Sequence, residues 1–135
     1  MIASGFLSGN AHVLANQINE NAKTFANYFI ISELNHHLLE GLKFPNNNSK
    51  NLHFFFFESD LYHPRNQKRY AITKDTLNKF KISHFSYHLT GKTELEQSFE
   101  ALLFGTYVAF YLAILNSIDP SSIPWVDYFK EELGK

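Results

Sequence analysis

The chain has no cysteine, one methionine, one tryptophan, four prolines and six glycines in 135 residues. Without cysteine there can be no disulfide and no thiolate metal site, and this usage suits a reducing, cytoplasmic setting. An excess of charge of either sign is also missing. Twelve Lys and Arg stand against 13 Asp and Glu, a net charge of −1. With no basic stripe, the electrostatic footprint of a nucleic-acid binder is absent. The seven histidines fall into no zinc-type spacing, and the adjacent pair His36-His37 projects in different directions on any regular backbone. No metal site is expected from these spacings. No charged n-region precedes an apolar stretch at the start, so no signal peptide is expected. The longest apolar run, 101–115, contains Gly105, Thr106 and Tyr107. It falls short of the ~20 residues of a membrane span and reads as a buried helix of a soluble core, with no membrane partner.

Apolar residues make up 44% of the chain and charged residues 19%, with 14 Phe and seven Tyr. That is the profile of a globular protein. The length suits a single domain, residues 1–135, able to bury roughly two thirds of its unfolded surface.

Patterning along the chain alternates strand and helix. Residues 1–6 read as the end of a strand entering a glycine turn, with no room for a full strand before it. Ala11, Leu14, Ala15, Ile18, Ala22, Phe25 and Ala26 recur at spacings of three and four, predicting a helix over 10–28. An irregular link and a short helix near 35–41 follow, ended by Gly41. The continuous apolar run at 52–58 predicts a strand covered on both faces of a parallel sheet. A polar helix over 65–80 has Tyr70, Ile72, Leu77 and Phe80 as its apolar positions. A second full strand spans 82–89. Thr93 with Glu96 is a capping box opening a long helix to about Asn116. Pro124 opens a last helix to Leu133. This order implies a three-layer α/β unit with a small parallel sheet.

Three clusters could hold chemistry. In the first, Asn19 and Asn21 flank Glu20 within a helix, beside Gln17 and Lys23. Asn is a poor helix former, so the cluster marks either a break in the helix or a polar site; alone, Glu20 is a solvated face residue. The second is Ser32-Glu33-Leu34-Asn35-His36. Either Ser32 or Asn35 caps the next turn with His36 exposed, or His36 carries protons near neutrality. The third is the tail, where Asp119, Ser121 and Ser122 lie in a loop and Lys130 on the last helix. A solvated lysine is the default there.

Taken together and in this order, Gln-x-Asn-Glu-Asn-x-Lys at 17–23, Glu-Leu-Asn-His at 33–36 and the hydroxyl loop with its lysine-bearing helix resemble the bifunctional phosphoglucose/phosphomannose isomerase family. The match is to its C-terminal SIS (sugar isomerase) domain. Tyr62-His63-Pro64-Arg65 and Tyr111-Leu112-Ala113 followed by Asp119-Pro120 extend the resemblance over nearly the whole chain. Val13 and Ala15 stand where the family usually has Arg and Lys. The resemblance implies a flavodoxin-like, SIS-type parallel sheet flanked by helices, and an aldose–ketose isomerase of glucose 6-phosphate and mannose 6-phosphate in carbohydrate metabolism, glycolysis and gluconeogenesis included. Glu20 would shuttle the proton between C1 and C2. His36 would open the sugar ring in a site shared with a neighbouring subunit, Lys130 would support the ring oxygens, and no metal or organic cofactor would be required. Gln17, Asn21, Ser121 and Ser122 would contact substrate. The phosphate-holding loop belongs to the family's N-terminal SIS domain and has no counterpart at Ser4, Ser8 or Ser121-Ser122. The implied partners are therefore a sugar phosphate and a second copy or another SIS domain. The alternative is a non-catalytic SIS-like module that dimerises or binds a sugar phosphate.

Overall fold

In the computed structural model, which describes all 135 residues, the phenylalanine run at 54–57 forms the middle of a four-stranded parallel sheet. Its strands are β1 (Ile2–Ala3), β2 (Phe29–Ile30), β3 (His53–Glu58) and β4 (Ser83–His88), in the spatial order β2-β1-β3-β4. β3 and β4 pair along all six residues, from His53 with Ser83 to Glu58 with His88. β1 is far shorter: it meets β3 at Ile2 with Phe56, and β2 at Ile2 with Phe29 and Ala3 with Ile30. β2 is a two-residue strand within the stretch that the sequence presents only as an irregular link.

A 3₁₀ turn (Gly5–Leu7) leads from β1 into α1 (Ser8–Ala22). After β2, α2 (Ile31–Glu33) continues through a π-helical stretch (Leu34–Leu38) into α3 (Leu39–Gly41). Then come α4 (Asn48–Asn51), α5 (Pro64–Lys79), α6 (Glu94–Leu115) and α7 (Pro124–Leu133). Successive side chains of a strand point to opposite faces. Phe56 meets Tyr70 of α5 at 5.7 Å between ring centroids, and Phe55 meets Phe104 of α6 at 5.8 Å. α5 and α6 therefore cover opposite faces. α1 packs along α6, while the α2–α3 segment joins α5 through Asn35, whose amide donates to Thr73 Oγ1 at 2.7 Å and accepts from Arg69 at 3.2 Å. The result is the expected three-layer α/β fold, with β1 between strands reached in opposite winding directions.

α1 and α6 meet along small residues. Ala11, Leu14, Ala15 and Ile18 of α1 are buried, as are Gln97, Ala101, Gly105, Ala109 and Ala113 of α6, one every fourth residue. The helices approach so closely that a Cβ on Gly105 would stand 3.1 Å from Leu14 Cδ1. The rest of α6 corrects the reading of a fully buried helix. Leu95, Phe99, Leu103, Tyr107, Tyr111 and Leu115 are all more than half exposed. The helix has the expected bounds, and although the run 101–115 alone is short of a span, its 22 residues, with a mean hydropathy of 1.6 over the most apolar stretch, are enough in length and composition to cross a membrane. Here the small-residue stripe and Phe104 tie it to α1 and the sheet instead.

The expected capping box is present, with the Thr93 hydroxyl accepting from Glu96 N–H and the Glu96 carboxylate accepting from Thr93 N–H. Two helix readings change. α1 stops at Ala22 because Lys23 adopts a left-handed φ of 50° and turns the chain, leaving Phe25 almost wholly exposed. α5 buries Tyr70, Thr73 and Leu77, while Ile72 lies outward and Phe80 past the helix end is partly exposed.

Candidate functional site

The Glu20 cluster lies at the end of α1, and Asn19 shapes that end. Its Nδ2 donates to the Ala15 and Ala26 carbonyls, and its Oδ1 accepts from Ala26 N–H at 2.9 Å. One side chain thus satisfies a late carbonyl of the helix and pins the loop that follows. The asparagine-rich stretch breaks the helix, and it leaves Glu20 exposed with Asn21 half-buried beside it. Lys23 folds back so that its ammonium donates to the Glu20 carbonyl at 2.7 Å and to the Pro120 carbonyl at 3.4 Å. Asn116, just past α6, donates to the Ala22 carbonyl and to Thr24 Oγ1. These contacts bring the first and third sequence clusters together, since residues 20–24 lie against the tail loop at 116–121.

In that loop Asp119 Oδ1 accepts from both the backbone N–H and the hydroxyl of Ser121, at 2.8 and 2.7 Å. Those two bonds hold the Asp119 carboxyl below its usual range. The Ser121 proton is committed to Asp119, while its oxygen lone pairs remain open. Ser122 is exposed. Lys130 stands on α7, which has no buried residue at all. Gln17 is turned away from this surface into the α1–α6 contact. Its Nε2 donates to Thr106 Oγ1 at 3.1 Å, and its Oε1 is buried without a donor.

His36 lies elsewhere. It is exposed on the π-helical stretch, with its ring 6.3 Å from that of His37 and nearly perpendicular to it. A π-bulge resets the side-chain directions of one helical turn, and Asn35 anchors this one to α5. Neither Ser32 nor Asn35 caps the helix, because the helix already starts at Ile31. Glu20 on α1 and His36 on the α2–α3 segment therefore belong to helices covering opposite faces of the sheet. A single chain does not bring them into one pocket.

The second polar cluster, at the carboxyl ends of the strands, was not singled out from sequence. In an open α/β sheet that edge is where ligands usually bind, beside the strand at which winding reverses. Here side chains of the chain itself fill it. Tyr62 Oη accepts from Ser4 N–H at 3.2 Å and donates to the Phe57 carbonyl at 3.3 Å. Asn66 donates to Ser4 Oγ at 2.8 Å, and Ser59 donates to Gln97 Oε1. His63 caps α5 by accepting from Arg65 N–H, with Pro64 at the first turn. The Tyr62-His63-Pro64-Arg65 stretch is thus a structural clasp. The space left is about 60 Å³, lined by Glu58, Ser59, Asp60, Tyr62, Gln67, Tyr70 and His88. Burial pushes the Glu58 carboxyl up, but the Lys74 ammonium 2.6 Å away outweighs it and holds the group below the usual carboxylate range. Burial likewise raises the Tyr62 and Tyr70 phenols, which stay neutral. The signal that could have revealed this cluster is a hydroxyl just after each of two strands, Ser4 and Ser59, with long-range partners that periodicity does not show.

Comparison with known proteins bears on both clusters. The family described as "Bacterial phospho-glucose isomerase C-terminal SIS domain" matches residues 1–133. The bifunctional phosphoglucose/phosphomannose isomerase of Caldicellulosiruptor bescii is 30% identical over 133 residues, covering 96% of this chain and 39% of that protein. The Thermoplasma volcanium protein of the same name is 35% identical over 121 residues, covering 87% of this chain and 37% of its own length. The Aquifex aeolicus one is 30% identical over 119 residues, covering 88% and 37%. The chain thus spans well under half the length of the curated relatives it matches. With the match running over its whole α/β core, the chain belongs to the bacterial phospho-glucose isomerase C-terminal SIS domain family.

Proposed function

We propose that this chain is the half of a sugar-phosphate aldose–ketose isomerase that supplies proton carriers, acting on glucose 6-phosphate and mannose 6-phosphate. The observation behind this reading is the exposed Glu20 at the broken end of α1, held beside the tail loop by Lys23, in a chain matched along its length by isomerases. Isomerisation through an enediol needs a base that takes a proton from one carbon and returns it to the next, and a carboxylate suits that task. Glu20 has this role, and His36 opens the ring. Lys130, Asn21, Ser121 and Ser122 contact the sugar. Gln17 acts behind them, positioning α1 against α6 through Thr106.

The placement of Glu20 and His36 on opposite faces favours a site assembled from more than one chain, with the His36 of a neighbouring subunit completing the site of Glu20. The filled crevice at the carboxyl ends of the strands favours a second SIS domain as the holder of the phosphate. A homodimer, or pairing with another SIS domain, satisfies both requirements, and a sugar-phosphate substrate fits a cytoplasmic setting. The non-catalytic alternative draws on the same filled crevice and on Ala15, only 2% exposed, at a position where the family usually has a base.

Glu20→Gln in a complete enzyme carrying this domain separates the two readings. Loss of general-base catalysis lowers turnover of fructose 6-phosphate by about 10²–10⁴-fold. Because Glu20 is exposed, its thermal midpoint stays that of the parent. Near-parental turnover would remove Glu20 from the mechanism, and a parent enzyme that binds without turning over would favour the non-catalytic module.

A further inference from the structure

The tail of the chain, with α7 and Lys130, is tied to the rest of the molecule at one short joint. α7 has no buried residue, and no hydrogen bond or ion pair runs from it to another helix or to the sheet. Its place is set by the loop before it, where residues 116–121 meet the end of α1. There Asn116 Nδ2 donates to the Ala22 carbonyl at 3.4 Å and to Thr24 Oγ1 at 3.3 Å. Lys23 Nζ donates to the Glu20 carbonyl at 2.7 Å and to the Pro120 carbonyl at 3.4 Å. Lys23 makes these bonds from left-handed backbone, with φ 50° and ψ 30°. Glycine takes that conformation without steric cost and is the usual residue just past a helix end. A lysine there is strained, and its ammonium is what a glycine could not supply. Ser117, on the α6 side of the same joint, is left-handed as well, with φ 56°.

We propose that Lys23 is a positioning residue for the isomerisation: its ammonium sets the tail loop, and with it Ser121, Ser122 and Lys130, at the distance from Glu20 that proton transfer requires. The inference rests on the reading of Glu20 as the base. An ammonium has three N–H donors and no acceptor. The bond to the Glu20 carbonyl fixes where the ammonium stands, and the bond to Pro120, 97 residues away, fixes the loop to it. Ser121 follows Pro120 and is tied to Asp119 by its N–H and its hydroxyl, so residues 119–121 are held as one unit. The Asp119 carboxyl, kept low first by those Ser121 groups, also feels the Lys23 charge. Both Lys23 bonds go to backbone carbonyls, which leaves the Glu20 carboxylate free to take a proton. A misplacement of about 1 Å between reacting groups costs on the order of 10²-fold in rate. A joint of so few bonds sets that tolerance through each of them.

Lys23→Gly is the test, because glycine keeps the left-handed turn while the ammonium is lost. In a complete enzyme carrying this domain, the thermal midpoint stays near the parent's. The kcat for fructose 6-phosphate falls by about tenfold or more, while KM changes by about threefold at most. Lys23→Arg, which keeps a cationic donor, recovers most of the loss. Parental kcat in Lys23→Gly, or equal losses in the Gly and Arg variants, overturns the proposal. A fall in the midpoint large enough to account for the lost turnover assigns Lys23 to folding and overturns it too. Glu20→Gln measured beside them keeps the two readings apart. If Glu20→Gln is inactive and Lys23→Gly is parental, only the role of Lys23 falls; if Glu20→Gln is near-parental, both fall. Trp125 supplies a readout that does not depend on turnover. It is the chain's only tryptophan and lies on α7, so the decay of its fluorescence anisotropy in this chain follows the tail. The fast component grows in Lys23→Gly, and an unchanged decay overturns the proposal.

Discussion

The two ends of the sheet are built on different principles. At the carboxyl ends, Ser4, Ser59, Tyr62, Asn66 and Gln97 close a polar network over aromatic rings, leaving room for little more than water. The Glu100 carboxylate adds to it by accepting from the N–H groups of Thr90 and Gly91 and from the Tyr87 hydroxyl, which staples the loop after β4. At the amino ends, β1 stops short, the walls are apolar, and a groove more than ten times larger stays open. Buried polar groups are costly unless partnered, so the first end is specified residue by residue. Apolar surface is non-directional, so the second end specifies only a shape and a polarity. The difference shows that side chains fill the end of the sheet where α/β proteins usually bind ligands, while the opposite end stays open.

A pair of truncations measures that contrast most strongly. Phe56 is fully buried against Tyr70 and His84, whereas Phe85 borders the open groove and is half exposed. Phe56→Ala is expected to cost about 3–5 kcal/mol in denaturant unfolding. Phe85→Ala is expected to cost about 1–2 kcal/mol, since only about half of its surface leaves water on folding. Equal losses would break the distinction between a specified end and an open one.

The contact between α1 and α6 tests the same idea on one face. Gly105→Val places a branched side chain against Leu14, and overpacking of this kind costs about 1–3 kcal/mol. Its effect on the thermal midpoint should exceed that of any substitution on the exposed face of α6.

The smallest expected effect is electrostatic. Burial pushes the Glu100 carboxyl up, but the Gly91 and Thr90 N–H groups and the hydroxyls of Thr90 and Tyr87 outweigh it and depress it below the ordinary carboxylate value. A depressed folded-state value stabilises the protein above the unfolded-state value, and that contribution is lost as pH falls through the folded-state one. Glu100→Gln therefore costs about 1 kcal/mol at neutral pH, a figure discounted for its partial exposure. It should also flatten the acid limb of the stability–pH curve. An unchanged acid limb would show that the staple contributes nothing.

Much of the fold was legible in the sequence because its signals are local. The phenylalanine run, the Thr93–Glu96 box and the prolines that open α5 and α7 each act within a few residues. β2 was not legible, because two residues have no period and are defined by pairing with β1. The end of α1 was misplaced for a related reason: the apolar spacing runs on through Phe25, and only the Asn19 clasp and the left-handed Lys23 stop the helix. Of the site, Glu20 and the tail loop come together through Lys23, a contact of 97 residues' separation that no local pattern reveals. The stripe of Gln97, Ala101, Gly105, Ala109 and Ala113 is regular in sequence, yet the large residues around it hide which side of α6 is buried.

The site proposed above takes Glu20 and His36 from different chains, a reading supported by α1 and the α2–α3 segment covering opposite faces of the sheet. Subunit mixing tests it directly. Complete enzymes carrying Glu20→Gln and His36→Ala are each inactive, and equal amounts are unfolded, mixed and refolded together. If the sites are shared, half the dimers are mixed and each has one intact site, so turnover returns to about a quarter of the parent's. If turnover stays at the level of the separate variants, Glu20 and His36 act within one chain, and the account of the site is wrong.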